Sequence, residues 1–191
     1  MKRHLLLIAI LFHSFFLFAQ EEKEEPRKGF KKEKLFFGGN FGLTFGDHTL
    51  INVSPQIGYR FTDRIAAGMG INMLYFSVKQ RDRDGDRISK SSTGVVGLNV
   101  FGRVYPIHQF FVQVQPELNY RFGKEIVYDP AGNQEYNENA EIVPSILAGG
   151  GMALPAGKGA FLISVFYDVL QHDNSPYGRK PVYNFGYNIG F

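Results

Sequence analysis

Hydrophobic and polar residues alternate along most of this chain, most clearly in the stretch FFVQVQPELNYRF (110–122). Its even positions are apolar, and the odd positions after Phe111 are polar: Gln113, Gln115, Glu117, Asn119 and Arg121. Because successive side chains of a β-strand point to opposite faces, this period of two predicts a strand with one apolar face and one polar face. The pattern alone leaves open which face meets water.

Seven other segments share this period and predict a chain built from β-strands. With the stretch above, they make eight segments, at 35–46, 50–61, 65–78, 93–105, 110–122, 141–154, 160–170 and 181–191. The sixth is the weakest, because both of its faces are apolar or glycine. No comparable helical period follows residue 20. We therefore predict an all-β fold.

The lengths of the connections add a second signal. From the second connection onward, short and long ones alternate: 62–64, 79–92, 106–109, 123–140, 155–159 and 171–180. Only the first, 47–49, is short where a long one is expected. Short periplasmic turns and longer outer loops are typical of outer-membrane barrels. The sequence thus predicts an eight-stranded antiparallel up-and-down transmembrane β-barrel with both mature termini in the periplasm.

The distribution of charge decides which face is wet. The apolar faces carry almost no charged residue, and an Arg or Lys at mid-depth in lipid costs about 2–4 kcal/mol. We therefore expect lipid outside and polar side chains inside, where eight strands leave room for little else. A soluble lipocalin-like barrel is the alternative fold. The charged residues of the inner faces form a predicted polar network in the lumen: Arg60, Arg103, Glu117, Arg121 and Asp168.

Opposite charges within this predicted network suggest ion pairs. Glu117 and Asp168 are expected to pair with the arginines, and Glu117 and Arg121 are expected in one internal network. We interpret the network as a polar plug that leaves no pore, with a narrow path for an ion or a small solute as the alternative.

The N-terminus, MKRHLLLIAILFHSFFLFAQ, has a basic start, an apolar run and a small residue at Ala19. This layout predicts a secretory signal peptide over residues 1–19. A transmembrane anchor is the alternative, but the run falls short of the roughly 20 residues that a helix needs. Residues 20–34 are almost entirely charged and are predicted to form a flexible lead-in to a barrel at 35–191.

Composition narrows the chemistry. The chain has no Cys, which excludes disulfides and thiolate metal sites. The formal charge is +3, and removing Lys2 and Arg3 with the signal peptide leaves 3 − 2 = +1. A balance so close to neutral does not indicate a nucleic-acid partner. Aromatic residues near the segment ends predict interfacial girdles: Phe36, Phe37, Tyr59, Phe61, Tyr75, Phe76, Phe110, Phe111, Tyr120 and Phe122.

The signal peptide, the eight segments and a last strand rich in aromatic residues resemble a known group. The last strand carries Tyr183, Phe185, Tyr187 and the terminal Phe191. Together these features are similar to the small eight-stranded outer-membrane β-barrel proteins of Gram-negative bacteria, the OmpA/OmpX-like group. The resemblance implies contact with outer-membrane lipid and lipopolysaccharide, and biogenesis by periplasmic chaperones and the barrel assembly machinery. It implies no particular activity.

Two loops contain motifs that suggest chemistry. Asp82, Asp84 and Asp86 resemble a calcium loop, but an EF-hand needs Gly at position 6, whereas Gly85 is at position 4. A solvated Asp-Gly turn is the better interpretation. In the last loop His172, Asp173 and Ser175 suggest a lipid-modifying enzyme, which requires a nucleophile and a base about 2.6–3.2 Å apart. Such near neighbours give no reason to expect that geometry, so we predict no catalytic residue, metal site or cofactor.

Three prolines interrupt the predicted strands. Pro55, Pro116 and Pro144 lie on outward-facing positions, where each removes a donor from the ladder. We predict a bulge or a ladder gap at each.

The leading functional hypothesis is a monomeric barrel with a structural or surface-interaction role. An extracellular ligand is expected at the outer loops 79–92, 123–140 and 171–180. A small transport barrel and an enzyme that modifies outer-leaflet lipid are the alternatives.

Overall fold

The computed structural model describes residues 31–44, 48–129 and 132–190. The predicted signal peptide, most of the charged lead-in and Phe191 lie outside the described residues. A single 3₁₀ turn, Lys32–Lys34, precedes the first strand. The strands are β1 (Leu35–Thr44), β2 (His48–Arg60), β3 (Ile65–Arg81), β4 (Arg87–Ile107), β5 (Phe110–Val127), β6 (Gln134–Ala156), β7 (Gly159–Asp168) and β8 (Val182–Ile189).

Each strand pairs antiparallel with the next one along the chain, and β1 pairs with β8. The eight strands therefore form a closed up-and-down ring, which confirms the predicted all-β architecture. The seam between β1 and β8 is short, running from Phe37↔Ile189 to Asn40↔Gly186. Turns 61–64, 108–109 and 157–158 lie at one end of the ring, called the lower end. The connections 82–86 and 169–181 lie at the upper end, as do residues 128–129 and 132–133.

Two of the predicted long loops are wrong in extent. Residues 79–92 and 123–140 are mostly strand, because β3 to β6 continue upward in paired hairpins closed at 82–86 and 128–133. These extensions are mostly polar on both faces, so the period of two that marks a half-buried strand is lost although backbone pairing continues. The third predicted loop, 171–180, is confirmed within a connection that spans 169–181.

The two faces of the ring differ as the alternation predicts. On β5, Leu118 is 62% exposed on the outer face, whereas Asn119 beside it is fully buried inside the ring. The same contrast recurs around the ring, where Leu98, Met69 and Phe185 are all at least 60% exposed. The outer face is thus a continuous apolar surface, and the inner face is closed off from solvent.

Apolar side chains, many of them aromatic, fill much of the lower interior. Buried residues there form one apolar cluster: Phe36, Ala66, Phe101, Tyr105, Phe111, Leu147, Ala153, Ala160, Leu162 and Phe166. The prediction that Phe36 and Phe111 belong to an outer girdle is wrong, because strand alternation turns both rings inward. Gly58 makes room for Phe36, since a Cβ on Gly58 would collide with that ring.

Two of the three prolines mark gaps in the ladders. The β2–β3 ladder lacks pairs at Pro55 and the residue before it, and the β4–β5 ladder lacks them at Pro116 and the residue before it. The register is unchanged across each gap, as expected for a missing donor without an inserted residue. At Pro144 the prediction is wrong, because the β5–β6 ladder is continuous from Met152 through Pro144 to Glu141 and the β6–β7 ladder reaches only to Leu147.

Candidate functional site

A row of polar side chains on β5 forms the middle of the interior. Alternation places Gln113, Gln115, Glu117 and Asn119 on the inner face, and all four are buried. Residues two apart on a strand lie about 7 Å apart, which a glutamine side chain can span. Gln113 Nε2 donates to Gln115 Oε1 at 2.7 Å, and Gln115 Nε2 donates to Glu117 Oε1 at 2.6 Å. The side chains therefore form one directed chain of hydrogen bonds that ends on a carboxylate.

The cationic end of this chain is Arg103, which lies opposite Gln113 in the β4–β5 register. Arg103 is 3% exposed, and its Nε donates to Gln113 Oε1 at 2.7 Å. Its guanidinium carbon lies 4.6 Å from the ring centroid of Phe111 and 5.2 Å from that of Phe101. Ring faces attract a cation, so this aromatic setting stabilises the buried charge where no carboxylate among the described residues reaches it.

The anionic end is Glu117, which is 4% exposed and is held by neutral donors only. Besides Gln115, Asn119 Nδ2 donates to Oε2 at 3.0 Å and Tyr177 Oη donates to the same oxygen at 2.7 Å. Bonds to an ionised group are the stronger kind of hydrogen bond, and several of them replace the hydration that the carboxylate loses. Two amides, Asn72 and Asn99, extend the network across β3 and β4.

Asp168 anchors the last connection to the ring. It is fully buried at the end of β7, where its Oδ1 accepts the backbone N–H groups of Ile146 and Leu170 at 3.1 Å each. Its Oδ2 accepts the hydroxyl of Ser175 at 2.6 Å. The carboxylate therefore fixes both the start of the 169–181 connection and a residue in its middle.

The 169–181 connection bends into the upper mouth of the ring. Ser175 contacts Asp168 and lies 3.5 Å from the Ser145 hydroxyl, and the Tyr177 ring packs against the interior apolar cluster. Burial raises the pKa of the Tyr177 hydroxyl well above its usual value, and the nearby Glu117 carboxylate raises it further. Tyr177 is therefore a neutral donor that closes the interior from above.

The predicted network residues do not all come together. Arg60 lies below the polar row, with its guanidinium carbon 5.4 Å from the ring centroid of Tyr105. Arg121 lies above it and pairs with Glu138 on β6 at 2.9 Å, in place of the expected Glu117. Four residues along a strand span about 13 Å, which is too far for Glu117 and Arg121 to touch. The acids Glu117 and Asp168 bind neutral donors where arginines were expected.

The motif residues of the upper connections form hydrogen bonds that stabilise the connections themselves. Asp82 Oδ1 accepts the backbone N–H groups of Asp84 and Asp86, which makes 82–86 the tight Asp-Gly turn that the sequence predicts. In the last connection His172 Nδ1 accepts the N–H of Asn174, while the Ser175 hydroxyl is directed to Asp168. Within the described ranges, no three His, Cys, Asp or Glu side chains are grouped closely enough to hold a metal ion.

The sequence analysis did not include the residues of other elements that join the interior network. Tyr177 and Ser175 lie in a loop with no period, so nothing in the sequence indicates that they turn inward. Asn72 and Asn99 did carry a signal, because both occupy polar-face positions of β3 and β4 whose register partners lead to Asn119 and Glu117.

No protein-family model matches this chain, and no curated protein is similar to it in sequence. In the part of the chain that the structure describes, no helix is long and apolar enough to cross a membrane.

Proposed function

We propose that this protein is a transmembrane β-barrel of an outer membrane, with a closed lumen and a structural or surface-interaction role at its upper end. The observation that carries the proposal is the inversion of its two faces. Large apolar side chains such as Leu98 and Leu118 cover the outside, while Arg103, Glu117 and Asp168 are buried inside. In water this large apolar surface would be exposed to solvent at a high free-energy cost, whereas the hydrocarbon chains of lipid would cover it.

The closed lumen is supported by what fills it. The lower half is packed with aromatic rings, the middle with the β5 row, and the mouth with the 169–181 connection. An eight-stranded ring has an interior just wide enough for its own side chains. The chain is therefore proposed to hold its shape in the membrane rather than to conduct solutes.

The proposed interaction surface is the upper end. There β3 to β6 extend as hairpins. The first part of β6 is exposed: Gln134, Glu135, Tyr136, Asn137, Glu138, Asn139 and Ala140. Ion pairs Lys124–Glu135 and Arg121–Glu138 join the two strands of the β5–β6 hairpin. Paired strands present side chains at fixed spacings, which suits recognition of an extracellular partner better than mobile loops do.

Cell fractionation followed by a heat-modifiability gel tests the location. We expect the protein in the outer-membrane fraction, migrating faster before boiling than after it. Recovery in the soluble periplasm would exclude the lipid-facing assignment. Planar-bilayer recording then tests the closed lumen, with no conductance above background as the expected result. Steady single-channel conductance would favour a small transport barrel instead.

A further inference from the structure

Two lysines lie directly opposite each other on the outer face of the β3–β4 hairpin. Lys79 of β3 is the register partner of Lys90 of β4. Side chains in such a cross-strand pair start about 5 Å apart, and like charges in that position are destabilising. Both residues are partly buried. Two lysine side chains that start from one cross-strand pair can both reach an anion bound between them.

Two acids that the structure describes on the adjacent β5–β6 hairpin bind other cations. The closest lysine on the next strand, Lys124, is bound to Glu135 at 2.6 Å, and Arg121 is bound to Glu138 at 2.9 Å. Across the described residues, neither Lys79 nor Lys90 forms an ion pair. Within the described ranges, the positive charge of the pair is therefore not taken up by an acidic side chain.

Hydroxyl groups lie on the same face just below the lysines. Ser77 and Ser92 form the next cross-strand pair on this face, two residues below the lysines. Their hydroxyl oxygens lie 3.2 Å apart, and Tyr75 Oη donates to Ser92 Oγ at 3.3 Å. The cross-strand pair below that one is Tyr75 and Gly94. The Phe122 ring lies over Gly94 so closely that a Cβ there would collide with it. From bottom to top the face therefore runs from aromatic rings through hydroxyl groups to paired ammonium groups.

This order matches the profile of a membrane surface. Aromatic rings favour the level of the headgroups, and long lysine side chains reach from apolar surface toward charged groups above it. Lys79 lies four residues above Tyr75, which is about 13 Å along the strand. Phosphate oxygens form strong charge-assisted hydrogen bonds with ammonium groups.

We propose that Lys79 and Lys90 together bind the phosphate group of a membrane-lipid headgroup. The lipid source rests on the proposed membrane location, whereas the binding of phosphate by the pair does not. The occupant bridges the two lysines from outside the ring and removes the repulsion between them.

The test uses the full mature chain folded in zwitterionic, phosphate-free detergent micelles. Short-chain phosphatidic acid is titrated in, and the bound adduct is measured by native mass spectrometry. Diacylglycerol with the same chains serves as the lipid without phosphate. The test variant is Lys79→Gln/Lys90→Gln, and the control is Lys158→Gln/Lys180→Gln, which removes the same charge from two exposed positions in other connections.

We expect the test variant to bind phosphatidic acid at least about tenfold more weakly than the wild type, because it loses charge-assisted hydrogen bonds. The control is expected to bind like the wild type, and diacylglycerol is expected to bind to none of the three proteins. Equal binding by the test variant and the control would overturn the proposal. If Lys79→Gln/Lys90→Gln does not fold, Lys79→Glu replaces it, since a Glu–Lys pair keeps the hairpin paired and removes the anion site.

Inorganic phosphate distinguishes the two sources of the ligand. Weak competition by inorganic phosphate supports a lipid headgroup, while competition as strong as that of phosphatidic acid would overturn the lipid source and leave a site for free phosphate. Fractionation separates this proposal from the proposed function. Loss of selective binding in a protein that still resides in the membrane overturns only the lysine site, and recovery in the periplasm with phosphate binding intact overturns only the membrane assignment.

Discussion

The two faces of β5 share one backbone but have opposite chemistry. Outward, Val114 and Leu118 are more than half exposed, and inward, Gln115 and Glu117 are at most 5% exposed. In a protein surrounded by water these environments are normally exchanged, with apolar groups inside. The outer face needs only an apolar surrounding, whereas buried groups such as Gln115 and Glu117 need specific hydrogen-bond partners. The contribution of the outer face to stability therefore depends on the surrounding solvent, and that of the inner face depends on the geometry of its hydrogen bonds.

The largest loss of stability is expected from a charge placed on the outer face. Leu98→Arg places a cation in the middle of the apolar band of β4, and we expect it to lower the free energy of unfolding in lipid vesicles by about 2–4 kcal/mol. Ile88→Arg is the matched control, because it lies on the same face near the upper end, where the cost is about 0–1 kcal/mol. The chain has no Trp, so circular dichroism during urea titration reads the folded fraction. Equal costs at the two positions would contradict a lipid-facing band.

The inner face is expected to be sensitive to the loss of a single partner. Glu117→Gln replaces a carboxylate that accepts three donors with an amide that must turn its own N–H groups toward one of them. We expect a loss of about 1.5–3 kcal/mol, the range for hydrogen bonds to charged groups. The same urea titration measures it.

Glu138→Gln is the matched substitution for that prediction, because Glu138 forms a partly exposed ion pair with Arg121. Such pairs contribute about 0–1 kcal/mol. A loss at Glu138 as large as the loss at Glu117 would show that the buried chain of hydrogen bonds has no special role.

A smaller effect is expected where the last connection meets the inner face. Tyr177→Phe keeps the ring but removes the hydroxyl bond to Glu117, and we expect about 1 kcal/mol of destabilisation. Hydrogen exchange of the backbone amides of 169–181 should accelerate, since this bond holds the loop inside. Tyr183→Phe, on the outer face at 68% exposure, is the control and should leave exchange in the loop unchanged. Unchanged exchange in Tyr177→Phe would exclude the hydroxyl as the anchor of the loop.

High pH gives the smallest effect. Because the folded state raises the pKa of Tyr177, the stability from this group is fully present below the usual tyrosine pKa of 10.0 and is lost as the pH rises toward the folded-state pKa. The wild type should therefore lose stability as the pH rises above about 10, the usual pKa of tyrosine. Tyr177→Phe should lose less of it over the same range. Identical alkaline profiles of the two proteins would contradict a buried, protonated Tyr177.

The sequence predicted the ring and its two faces because both depend on one local rule. Strand alternation assigns Gln113 and Glu117 inward and Leu118 outward without any knowledge of the neighbouring strands. The same rule was overextended at Glu117 and Arg121. Sharing a face does not bring residues into contact, and the distance along the strand already excludes that pair.

The remaining features depend on distances across the ring, which periodicity does not contain. The inward course of the last connection depends on the ring's radius and on the depth at which Glu117 lies, so Tyr177 carries no local signal. Residues 79–92 were interpreted as a loop because polar residues occupy both faces of the extended hairpin. The Lys79–Lys90 pair became visible only with the β3–β4 register.

A nitroxide scan along β5 in lipid vesicles tests the central claim most directly. The natural chain has no Cys, so single cysteine substitutions at Val112, Val114, Leu118, Gln113 and Gln115 each carry one label. We predict that labels at the first three positions contact dissolved oxygen in the bilayer and are shielded from a water-soluble relaxation agent. Labels at Gln113 and Gln115 should be shielded from both. Relaxation of the Val112, Val114 and Leu118 labels by the water-soluble agent would contradict a lipid-facing outer surface.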